Sequence, residues 1–270
     1  MRISIIHVNT EVVSVPYAKL VEKNFDKAKR DDTVLSHRYV RRLKRATDTV
    51  LALPILLNKV DVVEQFLAAH DEGVDAAMVA CSGDPGVLEA RSIVSIPIVG
   101  PMEAALHLAC MYGFKIGIVT VAERSWSEYC EHMTIGYGLG TRLAGVQRIS
   151  IPSHEAFTLG FSRPEVVANE IARSAEVLIE RGANAIVIGS AGLSVIASSV
   201  DLAQVSGVPI FDCLTAGLKM AELRADLHRK RGVPETCRVG YTEQLPSKDL
   251  NRLAELFGLH RISDTRSPRG

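Results

Sequence analysis

The chain has 270 residues, 47% of them hydrophobic, and its 31 basic side chains balance 31 acidic ones. A chain of this size can bury cores of ordinary volume. The formal net charge of zero argues against a nucleic-acid or anionic-membrane partner, because such proteins normally carry a basic excess. No run approaches the ~20 apolar residues that span a bilayer, so we expect no membrane partner.

Cysteine usage and motif content also limit the possible functions. Five cysteines without close-spaced pairs favour free thiols in a reducing compartment. Because the N-terminal residues run directly into a predicted strand, without a signal peptide, we expect a cytoplasmic protein. No zinc-ligand spacing, P-loop or Gly-x-Gly-x-x-Gly after the first strand is present, so we expect no metal and no nucleotide. The basic run at residues 38–45 is interpreted as a solvated face or a subunit contact, and we expect a homo-oligomer.

Strands and helices alternate along the first part of the chain. Residues 2–8 predict a strand, and Asn9 follows it, either as a hydrogen-bonding group for a ligand or as a turn residue. The next elements are an amphipathic helix at 16–30, a short strand at 33–39 and a second amphipathic helix at 58–72.

An uncharged apolar run at residues 76–80 predicts a strand buried on both faces, as in a parallel sheet covered by helices. The run ends abruptly at Cys81. Asp84 followed by Pro85 predicts the start of a helix. Cys81 is therefore expected at the carboxyl end of a strand and ahead of a helix N-terminus, where open α/β sheets bind ligands and where a thiolate is favoured.

The alternation continues to the end of the second half. Helices are predicted at 85–93, 101–112, 124–135, 165–181 and 193–203, with a final long helix after them, and strands at 96–99, 115–120, 143–149, up to 189 and at 208–211.

The two halves of the chain are similar in sequence. Residues 72–81 align without a gap with residues 181–190, which places Ser190 opposite Cys81. A repeat of about a hundred residues indicates duplication of a half-domain rather than a solenoid. The sequence therefore predicts an α/β fold of two similar halves, each a mainly parallel sheet flanked by helices.

The repeat also predicts the domain boundaries. We expect an N-terminal lobe at residues 1–112, a C-terminal lobe at 113–225, and a helical segment with a tail at 226–270. In the last part, apolar residues from Leu250 to Phe257 predict one packing helix, and residues 261–270 predict a frayed polar tail.

Several stretches carry a family resemblance. They are residues 80–86 (Ala-Cys-Ser-Gly-Asp-Pro-Gly), 97–100 (Pro-Ile-Val-Gly), 187–192 (Val-Ile-Gly-Ser-Ala-Gly) and 208–212 (Val-Pro-Ile-Phe-Asp). Residues 2–225 resemble the Asp/Glu/hydantoin racemase superfamily, nearest to hydantoin and allantoin racemases. The resemblance implies two pseudo-symmetric lobes that face each other across an active-site cleft, one catalytic cysteine from each lobe, and no cofactor. One thiolate removes the proton α to a carbonyl while a thiol on the opposite face delivers another.

The sequence departs from this family at the second cysteine. Cys81 matches the first one, but Ser190 stands at the position of the second. A free cysteine has a pKa near ~8.5, whereas a serine hydroxyl needs an adjacent base to ionise. Ser190 is therefore expected to be a hydrogen-bond partner or a weak acid. Cys213 either supplies the missing thiol or is a buried structural cysteine.

Substrate contacts are expected from the two turns and from the first strand of each half. Backbone N–H groups after Cys81 and Ser190 suit a carboxylate or an enolate, and the strand-end residues match substrate-contacting positions of the family. Trp126 and Tyr129 either flank a substrate ring or pack. The expected substrate-binding residues are Asn9, Ser82, Gly83, Thr120, Ala191, Gly192 and Cys213.

The sequence thus predicts a cofactor-independent isomerase or racemase. Its expected substrate is a small carboxylate or a cyclic, hydantoin-like amide, and its expected catalytic group is the Cys81 thiolate. The alternatives are a decarboxylase or carbon–nitrogen hydrolase that uses Cys81 as an acid, base or nucleophile, and a two-lobed small-molecule sensor without turnover.

Overall fold

A computed structural model describes residues 1–259, apart from the side chains of residues 46 and 47. The polar tail predicted at residues 261–270 lies outside this range. None of the helices in the described range has the length and the apolar character that crossing a bilayer requires.

The first half of the chain forms a four-stranded sheet with helices around it. Its elements are β1 (Arg2–His7), α1 (Glu11–Ala28), β2 (Val34–Tyr39), α2 (Ala52–Asp71), β3 (Ala76–Val79), α3 (Val87–Arg91), β4 (Ile98–Val99) and α4 (Pro101–Ala109). The strands are all parallel and lie in the order β2-β1-β3-β4. This sheet and its helices are called the N-terminal lobe.

The second half forms a similar sheet with one additional strand. Its elements are β5 (Ile116–Thr120), α5 (Arg124–Gly136), β6 (Leu143–Arg148), α6 (Ser153–Ser162), α7 (Pro164–Glu180), β7 (Ala185–Ile188), α8 (Ala191–Ser199), β8 (Gln204–Val205), β9 (Val208–Asp212) and α9 (Cys213–Arg231). The order is β6-β5-β7-β9-β8, and only β8 is antiparallel to its neighbour. This is the C-terminal lobe.

The two sheets repeat one topology, as the sequence predicts. Strands β1, β2, β3 and β4 correspond to β5, β6, β7 and β9, because each group places its first strand between the second and the third. The central strands β3 and β7 are completely buried. Their uncharged, apolar sequences favour this position, since a parallel sheet covered on both faces excludes water from both sides of a strand.

The last helix of each sheet packs across the boundary between the lobes. Helix α9 contacts β3, β4 and α4, and α4 contacts β7 and β9. The approach is close: a Cβ on Gly217 in α9 would lie 2.9 Å from Cε of Met78 in β3. One cluster of buried apolar side chains therefore extends through both lobes, from Ile3 in β1 to Ile188 in β7.

The C-terminal segment contains the end of α9, which continues to Arg231 and so extends past residue 226. The predicted packing helix is present as α10 (Ser247–Phe257). It buries Leu250 and Ala254, which are one turn apart, but leaves Leu256 and Phe257 mostly exposed.

Candidate active site

A cavity of about 460 Å³ lies where the carboxyl ends of the two sheets face each other. The N-terminal lobe contributes the end of β1, the first turns of α1 and the turn after β3. The C-terminal lobe contributes the loop after β5, helix α6 and the start of α8. Cys81 and Ser190 therefore line the same cavity although they are 109 positions apart in sequence. The alignment of the two halves predicts this proximity.

Cys81 follows β3 and is 7% exposed. Burial raises the pKa of its thiol to about 12, since a thiolate at this position would lose its hydration. The N–H of Gly83 donates a hydrogen bond to the sulfur and lowers the pKa, and the nearby Asp84 raises it. The thiol is therefore protonated at neutral pH, whereas the sequence predicted an acidic one.

The expected helix N-terminus behind Cys81 is also absent from this turn. Asp84 adopts a positive φ of 45°, and α3 begins only at Val87, after Gly86. The Asp84 carboxylate instead caps α4, where it accepts from the N–H groups of Met102 at 3.0 Å and Glu103 at 2.8 Å. Burial raises the pKa of this carboxyl to about 7. The turn is thus fixed by a contact to a helix distant in sequence.

Ser190 follows β7 and caps α8 directly. Its Oγ accepts a hydrogen bond from Leu193 N at 3.4 Å. The N–H groups of Ala191 and Gly192 lie in the first helical turn and have no acceptor in the described part of the chain. A Cβ on Gly192 would lie 2.4 Å from the Phe157 ring, so glycine allows α6 to pack against this turn. The Ser190 turn therefore presents hydrogen-bond donors to the cavity.

The carbonyl of Gly189 links the two turns. It accepts from Ser82 Oγ at 3.1 Å, from Thr120 Oγ1 at 3.0 Å and from Trp126 Nε1 at 2.8 Å. Thr120 is completely buried and does not line the cavity, so it is not positioned to contact a substrate as expected. Ser82 lines the cavity with its hydroxyl directed to the Gly189 carbonyl. This oxygen thus connects one lobe to the other directly before Ser190.

Gly83 lies beside the main cavity rather than in its wall, which corrects the expected contact between its N–H and the substrate. Its N–H is directed at the Cys81 sulfur, and its carbonyl accepts from Tyr129 Oη at 3.2 Å. A Cβ at this position would lie 2.9 Å from the Trp126 ring. Trp126 lines the cavity, whereas Tyr129 packs on the outer side of the Cys81 turn.

Cys213 is not a replacement for the missing thiol. It is completely buried at the start of α9, outside the residues that line the cavity. Its Sγ lies 3.3 Å from Ser194 Oγ, and its N–H donates to the same hydroxyl at 3.1 Å. Burial raises the pKa of this thiol well above its ordinary value. These contacts correspond to the alternative interpretation, a buried structural cysteine.

Two polar groups of the N-terminal lobe are buried at the cavity without a hydrogen-bond partner among the described residues. They are the Nδ2 of Asn9, for which the sequence left a ligand contact or a turn role open, and the hydroxyl of Tyr17. Tyr17 was not predicted as a site residue from the sequence, in which the helix start was placed at residue 16, whereas α1 begins at Glu11. A buried donor without a partner is rare in a folded protein unless a ligand or water satisfies it.

Further cavity residues from the C-terminal lobe were not identified from the sequence. Helix α6 was not predicted, and it contributes Ser153, Phe157 and Phe161. Glu123, in the loop after β5, is the one Asp, Glu, Lys, Arg or His among the described residues that line the cavity. The only sequence signal for Glu123 was its position directly before a predicted helix.

Within the described residues 1–259, no group of three or more His, Cys, Asp or Glu side chains is arranged to hold a metal ion.

Comparison with known proteins identifies similar chains over most of this length. The family described as Asp/Glu/Hydantoin racemase matches residues 13–221. A hydantoin racemase of Pseudomonas sp. (strain NS671) is 30% identical over 236 residues, which cover 85% of this chain and 88% of that protein. Among solved structures, allantoin racemase from Klebsiella pneumoniae has a TM-score of 0.74 at 25% identity, with 91% of this chain and 94% of that chain covered. Allantoin racemase from Pseudomonas fluorescens has a TM-score of 0.75 at 21% identity, with 91% and 97% covered, and shows the same fold.

Proposed function

Because this chain belongs to the Asp/Glu/hydantoin racemase family and is a racemase-type enzyme, we propose that it inverts the carbon α to a carbonyl in an uncharged, hydantoin-like cyclic amide. The observation that carries the proposal is the composition of the cavity wall. The wall contains the Cys81 thiol and the donors of the Ser190 turn, and its described residues include no cationic side chain.

The absence of cations in the described wall favours an uncharged substrate. A substrate carboxylate would have no Arg, Lys or His to pair with and would share the cavity with Glu123. Burying an unpaired charge is strongly unfavourable, and a like charge nearby adds to that cost. A cyclic amide brings carbonyl and N–H groups but no charge.

The apolar part of the wall favours a substrate with a sizeable apolar substituent. The cavity volume falls in the range of small-molecule sites. Its aliphatic and aromatic lining residues include Val13, Leu20, Phe157, Phe161 and Ile196. A benzyl or branched alkyl group on the α-carbon would bury its surface against these side chains.

The Ser190 turn suits the oxygen that gains charge during the reaction. When the α-proton leaves, the neighbouring carbonyl develops enolate character. The N–H groups of Ala191 and Gly192, at the N-terminus of α8, provide donors and a favourable helix dipole for that oxygen. Nδ2 of Asn9 is a further unpartnered donor at the cavity. Ser190 acts as a hydrogen-bond partner in this arrangement.

Cys81 is the proposed proton-transfer group. Once the α-proton has left and the enolate has formed, the thiol, which burial keeps protonated, serves as an acid that delivers a proton to the α-carbon. The thiolate left behind is a strong base, because a raised pKa increases the basicity of the conjugate base. The reaction therefore uses the thiol and thiolate in turn.

The decarboxylase alternative is disfavoured by the same wall, because its substrate must bring a carboxylate into a cavity with no described cation. Carbon–nitrogen hydrolysis does not require a charged substrate, so the composition of the wall does not disfavour it. An experiment has to separate it from racemisation.

The test follows enantiopure benzylhydantoin in deuterated water by optical rotation and mass spectrometry. We expect the rotation to decay while each molecule gains one deuterium, faster than in a sample without enzyme. Allantoin, aspartate and phenylmalonate serve as comparison substrates, and we expect the charged ones to react least. Addition of water to the hydantoin would contradict the proposal. Loss of carbon dioxide from phenylmalonate at a higher rate than the racemisation of benzylhydantoin would also contradict it.

A further inference from the structure

Glu123 is a carboxylate in a cavity wall that contains no cation among its described residues. It is partly buried, and it takes part in no ion pair within residues 1–259. Its Oε2 accepts a hydrogen bond from the hydroxyl of Ser153, which is buried at the start of α6. An ion pair within the described residues therefore does not account for this carboxylate.

The C-terminal lobe otherwise lacks a proton-transfer group at this cavity. Among the described residues, the hydroxyl of Ser190 has the Leu193 N–H as its hydrogen-bond partner and no base bonded to it, so it is not activated. Cys213 lies outside the wall. Inversion of a carbon centre nevertheless requires proton transfer on two opposite faces.

We infer that Glu123 is the second acid–base group of the reaction and takes the place that a second cysteine would have; this inference rests on the proposed function. Glu123 enters the cavity from the loop after β5, the neighbour of β7 in the C-terminal sheet, whereas Cys81 enters from the end of β3 in the N-terminal sheet.

The start of α5 lies beside the Cys81 turn. Glu123 immediately precedes α5, and Trp126, one turn later, lies against Gly83. The carboxylate and the thiol therefore line one cavity, each from a different lobe. Carboxylates serve as bases for protons α to a carbonyl when they are positioned beside them.

The proton balance follows from the two groups. The Glu123 carboxylate takes the α-proton, and the electron pair of the broken carbon–hydrogen bond passes into the enolate. The Cys81 sulfur–hydrogen bond then breaks as its proton forms the new carbon–hydrogen bond on the opposite face. Glu123 is left as a carboxylic acid and Cys81 as a thiolate. This pair either runs the reverse reaction or returns to the starting state when the proton passes through solvent.

The protonated state of Cys81 matches this division of roles. Burial raises the pKa of its thiol to about 12, so the starting state holds one acid and one base rather than two thiols. The enantiomer whose α-proton faces Glu123 therefore reacts from the starting state. The other enantiomer reacts from the state in which Glu123 is a carboxylic acid and Cys81 is a thiolate.

The test compares Glu123→Gln with Glu128→Gln in the racemisation of benzylhydantoin. Glu128 is an exposed residue of α5 that pairs with Arg124, so it is a matched control for loss of one carboxylate. We expect Glu123→Gln to lower kcat by at least about 10²-fold and Glu128→Gln to leave it unchanged. Wild-type kcat in Glu123→Gln overturns the inference.

Solvent exchange identifies which face each group serves. In deuterated water, Cys81→Ala is expected to racemise neither enantiomer but to exchange the α-hydrogen of one of them with retention. The double variant Cys81→Ala, Glu123→Gln is expected to lose that exchange. Exchange that persists in the double variant, or its absence in Cys81→Ala, contradicts a base role for Glu123.

If Glu123→Gln does not fold, Glu123→Asp keeps the charge but withdraws it by one methylene, and we expect a loss in kcat of about 10²-fold. Racemisation by Glu123→Asp at the wild-type rate overturns the inference. If the wild-type chain racemises no hydantoin, the proposed function fails; if it does and the Glu123 variants do as well, only the inference fails.

Discussion

The turns that follow β3 and β7 occupy equivalent positions in the two sheets but have different structures. The turn after β3 is irregular and buries a protonated sulfur, to which the Gly83 N–H donates a hydrogen bond. The turn after β7 leads directly into α8, with Ser190 as its cap and two backbone donors without an acceptor in the described chain. We infer that the first turn transfers a proton while the second holds an oxygen, so the two turns have different roles.

The strongest test of this division is Cys81→Ala. Because the alternative proton-transfer groups lie in the other lobe, we expect racemisation to fall by about 10³-fold. Optical rotation of benzylhydantoin gives the rate, and circular dichroism checks that the chain is folded. Cys237→Ala, at an exposed cysteine, is the control for loss of one thiol. Activity retained in Cys81→Ala would mean that the turn after β3 transfers no proton.

Gly192→Ala tests the second turn. The added Cβ would lie 2.4 Å from the Phe157 ring, so α6 or the N-terminus of α8 must move, together with its donors. We expect kcat to fall by about 10²-fold and the unfolding free energy to fall by about 1–3 kcal/mol. Urea denaturation and initial rates measure the two effects. Gly136→Ala in α5 is the matched control, because a Cβ there meets no atom within 4 Å. An equal loss in both variants would contradict the role of the turn.

Ser190→Cys makes the two turns more alike. A thiol at the cap of α8 can act as a proton-transfer group, which a serine hydroxyl without a base cannot. In the Glu123→Gln background we expect it to restore racemisation by about tenfold. The rates of inversion of both enantiomers measure the effect. No change in that background would show that residue 190 does not face the α-carbon opposite Cys81.

The smallest expected effect is on alkylation of Cys81 by iodoacetamide. Because burial raises the pKa of this thiol to about 12, the thiolate fraction rises throughout the range from neutral to alkaline pH. We expect modification of Cys81 to be slow at neutral pH, slower than at the exposed Cys237, and to become faster with each step upward in pH. Mass spectrometry of the separate peptides measures both rates. A rate for Cys81 that is already constant at neutral pH would instead indicate an acidic thiol.

The sequence allowed the strand framework to be predicted because local patterns determine it. Strands β3 and β7 are short uncharged apolar runs, and the gap-free alignment of their flanks placed Cys81 opposite Ser190 at one cavity. The boundaries of the lobes and the assembly state stay predictions. The roles assigned to the site residues likewise stay proposals.

The contacts inside the site were less predictable, since they join residues far apart in the chain. Asp84 was expected to begin the helix next to it, but its carboxylate caps α4, 17 positions further on. Thr120 was expected at the substrate, but its hydroxyl bonds to Gly189. A local pattern shows that a side chain can cap or donate; it does not show which partner is in reach.

The sequence by itself therefore determined the duplicated α/β architecture, the family and the cysteine at the end of a strand, because hydrophobic periodicity and short motifs act over a few neighbouring residues. Only the tertiary structure decided the protonation state of that cysteine and which side chains surround the cavity with it. Burial keeps the sulfur protonated, and the packing of α6 brings Ser153 to Glu123. Desolvation and charge depend on everything that surrounds a group, and those surroundings exist only after the lobes have packed together.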